Sequence, residues 1–416
     1  YTTLFRSVDY LRDNRDENMG FLSKTLLPDG TEIPGTNFDY NYLQHRKVDV
    51  VSSALDFILP FEKYKITAGA KVSFTNTRNG INYDTSDPTL VQDDYFRYKE
   101  QIYALYADYS REFSERFSMQ LGLRMEHTRT TGISEAKDTE DKHDYTRLFP
   151  TVYLLYSPTD GHALNFSFSN RISRPSQNMV NPFPFYQNKY TYACGREDLK
   201  PSYTYNAELG YTLKNNFNVS AYYSYSDDVF FQVVDLDAET NVTSFLWENF
   251  MKTHAFGLNN SYTFRTKWLQ AYAQHGVSYR RTTSSAVTTS PEEKGWAYDA
   301  SLRNTFFFNE KKTLLATLSG SYSSRQYQGI YLMSPTYSVS AGMLYRLLDN
   351  KLNLSLNVNN LFVSHSKLET MSNGLKIIAD NQFSFTSFRI GVSYTFGGDI
   401  RSKGQRNSNE DIQRRL

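Results

Sequence analysis

The residues best equipped to hold a ligand gather in one stretch, residues 174–200, where Phe183, Phe185, Tyr186, Tyr190 and Tyr192 stand beside Asn181, Asn188 and Arg196. Aromatic rings stack on sugars or planar ligands while amide and guanidinium groups bond their edges. That makes Asn181, Tyr186, Tyr190, Tyr192 and Arg196 the candidate contacts, although the same rings can serve only to pack a loop onto the rim that carries it. A second stretch, Glu135, Asp138, Glu140, Asp141 and Asp144, offers hard oxygen ligands of the sort calcium takes. Lys137 and Lys142 interrupt it and the spacing of a defined calcium loop is absent, so a solvated loop is expected and no metal or other cofactor is assigned.

Catalytic patterns do not appear. No metalloprotease helix motif, nucleophile elbow or phosphate loop occurs, and the chain is expected not to be an enzyme. The seven histidines are scattered without ligand spacing. Of these His127 is placed to line a lumen or a loop rim, with a hydrogen-bonded structural role as the plainer reading. Cys194 is the one cysteine, which excludes an intramolecular disulfide and a cysteine zinc site. Lys plus Arg number 45 against 44 for Asp plus Glu, so there is no electrostatic footprint for nucleic acid.

What positions these residues is legible from periodicity. Tyr64, Ile66, Ala68, Ala70, Val72 and Phe74 alternate with Lys65, Thr67, Gly69, Lys71, Ser73 and Thr75, which is a strand with one apolar and one polar face. The pattern returns in Phe117–Met125, Tyr203–Leu213, Leu352–Val358 and Phe388–Phe396. Aromatic residues make up 16% of the chain, with 33 Tyr and 29 Phe, a profile suited to strands and to the aromatic girdles of a membrane wall. The mean hydropathy of −0.57 and the short apolar runs exclude spanning helices. The strands outrun the five or six residues usual in soluble domains, roughly, and match the ten or so that a tilted bilayer-crossing strand needs. Val72, Leu121, Leu209, Leu354 and Ile390 are therefore expected to face lipid, and their polar neighbours, Arg124 and Glu126 among them, a wet lumen.

Very short turns, such as Phe61-Glu62-Lys63, Lys214-Asn215-Asn216 and Leu348-Asp349-Asn350, alternate with mostly longer connections along the whole chain. Tight periplasmic turns and longer external loops are the pattern of outer-membrane barrels. Counting them yields an all-β, antiparallel transmembrane β-barrel with about sixteen strands over residues 1–396. A polar tail follows over residues 397–416, expected to be solvated on the periplasmic side, with a docking segment as the alternative.

The order Asn170-Arg171-Ile172-Ser173-Arg174-Pro175-Ser176, Asn181-Pro182-Phe183 and Leu199-Lys200-Pro201 resembles the barrels of Bacteroidota TonB-dependent receptors. Gly122-Leu123-Arg124-Met125-Glu126 and the ending from Phe388 onward add to the likeness, which runs from about residue 38 to the C-terminus. The chain departs from the family at Gly195-Arg196-Glu197-Asp198, where a small Asn-containing turn is usual, and in its polar tail. The resemblance implies a barrel of twenty-two strands around an N-terminal plug, of which this chain would lack the plug and the first strands. It further implies active import of a scarce nutrient across the outer membrane, with a passive porin-like channel or a surface-binding barrel as the competing class. Implied partners are the lipid bilayer, the TonB energy-coupling complex acting through the missing N-terminal part, the barrel-insertion machinery and a surface lipoprotein.

Phe388, Ile390, Val392, Tyr394 and Phe396 look like the C-terminal signal that the insertion machinery reads. Phe396→Ala is expected to lower the outer-membrane yield, measured by quantitative immunoblot, more than Leu416→Ala does. Equal yields would remove the assignment.

Overall fold

The computed structural model describes residues 3–34, 36–85, 93–381, 385–396 and 410–415. Sixteen long strands form the wall: β1 (Thr3–Ser23), β2 (Phe38–Pro60), β3 (Tyr64–Thr85), β4 (Asp94–Ser114), β5 (Phe117–Ser134), β6 (Thr139–Tyr156), β7 (His162–Ser173), β10 (Ser202–Leu213), β11 (Phe217–Asp237), β12 (Val242–Arg265), β13 (Leu269–Ser284), β14 (Glu292–Phe307), β15 (Leu314–Ser323), β18 (Thr336–Leu347), β19 (Leu352–Val363) and β22 (Ser387–Tyr394). Six short strands lie between them: β8 (Phe185–Asn188), β9 (Thr191–Cys194), β16 (Gln326–Gln328), β17 (Tyr331–Met333), β20 (Ser366–Ser372) and β21 (Leu375–Asn381). Two single-turn helices, α1 (Gln177–Val180) and α2 (Glu410–Gln413), complete the described elements.

Each wall strand pairs antiparallel with the next in sequence, from β1 on β2 through to β19 on β22. Among the described residues β1 and β22 have one wall neighbour each, so these are the edges of the sheet. The short turns work because their residues accept left-handed backbone: Lys214 and Asn215 lie at φ 49° and 57°, and Leu348, Asp349 and Asn350 at 53°, 53° and 67°. Asn and Asp tolerate that region at small cost. Leu348 has no such tolerance, and the flanking pair Leu347–Leu352 holds it there.

Alternation sorts the side chains as the sequence suggests. Leu121, Leu209, Leu258 and Ile390 stand exposed on the outer face, with Val72 and Leu354 at the same parity. On the inner face Ser52, Ser73, Thr75, Thr77 and Thr128 are buried and polar. From Tyr64 to Phe74 the ten-residue rise of about 33 Å, tilted by about 40°, yields a lipid-facing band about 25 Å tall.

The tall strands change the expected loop boundaries. β1 continues to Ser23 and β3 to Thr85, through residues that read as connection, because above the bilayer both faces meet water or protein and alternation fades. Two apolar cores form at this external end. One joins Phe38, Tyr40, Tyr42, Ile81, Phe96 and Tyr98 to Val180, Phe183, Tyr186 and Leu199. The other joins Val233, Val234, Phe250 and Met251 of β11 and β12 to Ile330 and Tyr331. Beside it the hairpins β16–β17 and β20–β21 pair into a separate four-stranded sheet.

Of the tail, residues 397–409 and 416 lie outside the described residues. Ile412 and Arg415 dock on the inner face, whereas Gln413 and Arg414 stand exposed. Ile412 is buried against Val48 and Val50, and Arg415 donates to both carboxylate oxygens of Glu100 at 2.7 and 3.1 Å. Apolar cover for Ile412 and a buried carboxylate for Arg415 are the physical reasons.

Leu209→Arg should lower stability by about 2 to 4 kcal/mol at mid-depth, whereas Asn206→Arg on the inner face should change it by no more than about 0.5 kcal/mol. Urea unfolding from lipid vesicles measures both. Equal losses would invert the assignment of faces.

Candidate functional site at the external mouth

The connection between β7 and β10, residues 174–201, does not project outward as a free loop. It runs across the inner face of the first arc of the wall. Arg174 sits just beyond β7 and its guanidinium donates to Glu126 at 2.6 Å and to Thr128 at 3.2 Å. Glu126 also takes a bond from Arg124 at 2.6 Å. Farther on, Thr77 of β3 donates to Gln177 at 2.9 Å and Arg46 of β2 to Asn178 at 3.2 Å. Tyr40 and Tyr83 both aim their hydroxyls at the Pro184 carbonyl, at 3.1 and 3.3 Å. Burial works against the charge of Arg174, yet Glu126 and Glu100 outweigh it and hold the guanidinium above its ordinary pKa.

Gly195 shows how tightly the segment folds on itself. A Cβ there would lie 2.3 Å from the Asn181 carbonyl and 2.5 Å from that of Met179, so only glycine fits. Its N–H donates to the same Asn181 carbonyl at 3.0 Å. The departure from the family at Gly195-Arg196-Glu197-Asp198 thus falls on a position of backbone close approach. β9 then adds to β12 as a short parallel strand, Thr191 opposite Thr243. Asn249 clamps the far end: it accepts from the Lys200 N–H at 2.8 Å and donates to the carbonyls of Lys200 and Asp228. Asp228, at φ 51°, is the bulge where the β11–β12 register shifts.

The five candidate contact residues separate into two groups. Asn181 is 1% exposed and Tyr186 8%. Tyr186 packs edge-on against Tyr40 at 5.0 Å and lies 5.3 Å from Tyr192, so these three residues build the cap. Tyr190 and Arg196 reach solvent, but not together. Tyr190 sits beside Thr243, whose N–H donates to its carbonyl at 2.7 Å, while Arg196 bonds Glu248 at 2.9 Å. Those β12 positions are about 16 Å apart at strand rise, too far for one small planar ligand to bridge both.

Arg196 instead borders a cleft of about 410 Å³ with Lys137, Glu140, Asp141, Glu197 and Asp198. Its fork grips Asp198 at 2.8 and 2.7 Å, which holds that carboxyl below its ordinary pKa. The acidic run is likewise paired locally: Glu140 lies 2.8 Å from Lys142 and Asp144 2.9 Å from Arg129, while Asp141 lies 3.2 Å from the His143 ring. Among the described residues no group of three or more His, Cys, Asp or Glu is placed to hold a metal ion. Cys194 lies partly buried, its thiol pushed up by burial and donating to the Pro182 carbonyl at 3.1 Å. His127 faces outward, not into the lumen, and shares a 3.0 Å bond with Thr146.

A polar-lined sheet of tall strands with tight turns at one end and a folded cap at the other is the wall of an outer-membrane barrel, and the family match covers residues 2–394. The chain belongs to the outer membrane protein beta-barrel family. Its place is the bacterial outer membrane. Members of this fold among solved structures include the ferripyoverdine receptor of the outer membrane of Pseudomonas aeruginosa (16% identity, TM-score 0.60, 94% of this chain and 54% of that one). The copper transporter OprC (13%, 0.60, 92% and 65%) and the ferric yersiniabactin uptake receptor FyuA from Yersinia pestis (16%, 0.59, 86% and 56%) are similar in the same way. The chain therefore spans roughly half to two-thirds of the length of these structures. No curated protein sequence matches it.

Sequence reading located Glu126, Arg124 and Arg196 but missed Glu100, Thr77, Gln177 and Asn249. Glu100 had a signal, an acid at the inward parity of a strand. Arg174→Ala should destabilise the protein by about 1.5 to 3 kcal/mol, because Glu126 loses its buried partner and keeps only the more exposed Arg124. Adding Glu126→Gln should recover part of that loss in the same urea titration. A single variant that unfolds like wild type would mean that the pair is solvated.

Proposed function

We propose that this chain is the barrel portion of a receptor that imports a scarce nutrient by TonB-dependent active transport and performs no catalysis. The observation that carries the reading is the inward course of residues 174–201, tied at Arg174, Gln177 and Asn178 to β5, β3 and β2. A passive pore conducts through an open mouth, whereas here a packed segment crosses the inner face and must shift, or be bypassed, before a solute passes. Similarity in fold to proteins described as a ferripyoverdine receptor, a copper transporter and an uptake receptor supports the same class. In this reading the energy-coupling partner acts through a part of the protein outside this chain, and ligand is caught first at the external mouth, on the Arg196 side of the cap.

The test is nutrient-limited growth of cells carrying the full-length protein. Deleting the coupling partner should reduce uptake to background. Arg196→Gln should raise the nutrient concentration needed for half-maximal growth about tenfold, the value of a charge-assisted bond. Uptake that persists without the coupling partner would reject active import in favour of the passive pore.

A further inference from the structure

The outer face of the first arc carries a second charged feature that import does not use. Phase and register define it. Lys47 of β2 lies directly opposite Arg78 of β3, and Arg78 directly opposite Arg97 of β4. Like charges in direct cross-strand register repel, so three consecutive cations are an arrangement that the sheet alone disfavours. One step nearer the membrane, the next outward row is Asp49, Asn76 and Lys99. Asp49 serves two guanidiniums at once, Arg12 at 2.7 Å and Arg78 at 3.0 Å. For Lys47, Arg97 and Lys99 no carboxylate lies within ion-pair reach among the described residues.

The height of this row is marked by what lies below it. Phe74 and Tyr103 meet edge to face at 5.8 Å, and Tyr103 lies 6.2 Å from His127, an aromatic girdle of the sort that sits where acyl chains end. Val72 lies directly opposite Tyr103, and beneath them come Leu105 and Met125. The cations therefore stand one to two outward rows, that is two to four residues along each strand, above the Phe74 row, on the side of the long connections. Strands are about 4.8 Å apart, so Lys47, Arg78 and Arg97 span about 10 Å.

The second arc has an equivalent girdle in Phe256, Tyr279 and Trp296, but there each cation reaches a carboxylate. Lys252 pairs with Asp227 at 3.2 Å, while Arg281 and Lys294 both reach Glu292 at 2.6 Å. The contrast means that cations held beyond ion-pair reach of a carboxylate, as Lys47, Arg97 and Lys99 are, are not a general consequence of being above the girdle.

We propose that Lys47, Arg78, Arg97 and Lys99 form a binding row for the phosphate groups of an outer-leaflet lipid headgroup. Arg forks and Lys ammoniums are the donors that phosphate oxygens take, and the row lies at the depth where such phosphates sit when their acyl chains cover Val72 and Leu105. A bound phosphate relieves the cross-strand repulsion, which makes lipid and wall mutually stabilising on this arc alone.

The experiment uses the full-length protein in phosphatidylcholine nanodiscs doped with a phosphorylated acyl-disaccharide or with its dephosphorylated form. Retained glycolipid per protein is read by native mass spectrometry. Wild type should retain the phosphorylated form at least about tenfold better, at about fivefold per cation engaged. The variant Lys47→Gln, Arg97→Gln, Lys99→Gln should fall to the level of the dephosphorylated lipid, while its melting temperature in undoped discs stays equal or rises because repulsion is gone. Lys252→Gln with Lys294→Gln should retain lipid as wild type does. Equal retention of the two lipids by wild type, or full retention by the first-arc variant, would overturn the proposal. Complete displacement of the lipid by inorganic phosphate would also overturn it, by assigning the row to a free anion.

Discussion

In hydrocarbon no water is present to bond a peptide group, and that one constraint dictates most of this molecule. Every N–H and C=O at membrane depth must find a partner within the protein, so the chain either coils into helices or pairs into a continuous sheet. With alternating apolar and polar residues only the sheet can place one face on lipid and the other on water. The long, unbroken antiparallel ladders from β1 to β22 follow from this, as do the tight turns at one end, where excess residues would contribute nothing.

Above the bilayer the constraint is lifted and the structure changes character. Strands β1 to β5, β11 and β12 continue past the length that lipid demands, and their upper ends serve as platforms for two aromatic and aliphatic cores. The cap over the first arc is held by two unlike forces. Ring packing around Tyr40 and Tyr186 is non-directional and removes apolar area from water, whereas the Arg174–Glu126 pair and the Gln177–Thr77 bond set the position along the strands. A buried ion pair adds little net stability. Its contribution here is registration, since a displaced cap takes the Arg174 guanidinium away from Glu126 and Glu100 and leaves them to Arg124 and Arg415.

The same inner-face carboxylates accept cations from two segments distant in sequence, Arg174 of the cap and Arg415 of the tail. Glu100 is 2% exposed and lies between them. An acid at that depth attracts whichever guanidinium a lumen-filling segment presents, which ties the mouth, the wall and the tail into one electrostatic unit. On the outer face the logic is reversed: charge there meets the lipid boundary, and the two arcs differ in whether carboxylates are supplied to match it.

Alternation in Tyr64–Phe74 or Leu352–Val358, with the turn residues between, was sufficient to determine the all-β wall and its count of about sixteen strands, and to separate an apolar face from a polar one; which face meets lipid followed only once the alternating short and long connections had pointed to a membrane barrel. The strands and their two faces depend on neighbours one or two positions apart, and period-two patterning is a local property. The roles of the cap residues were not local. Asn181, Tyr186 and Tyr192 have the composition of a ligand platform, and only the tertiary fold places them among Tyr40, Phe38 and Phe183, because burial depends on strands more than a hundred residues away. Arg196 and Tyr190 are six positions apart in sequence yet face different neighbours, since β9 lies flat along β12 and separates them. The cation row has the same origin. Lys47, Arg78 and Arg97 look like scattered surface charges in the sequence, and cross-strand register, set by pairing over the full length of β2, β3 and β4, is what brings them side by side.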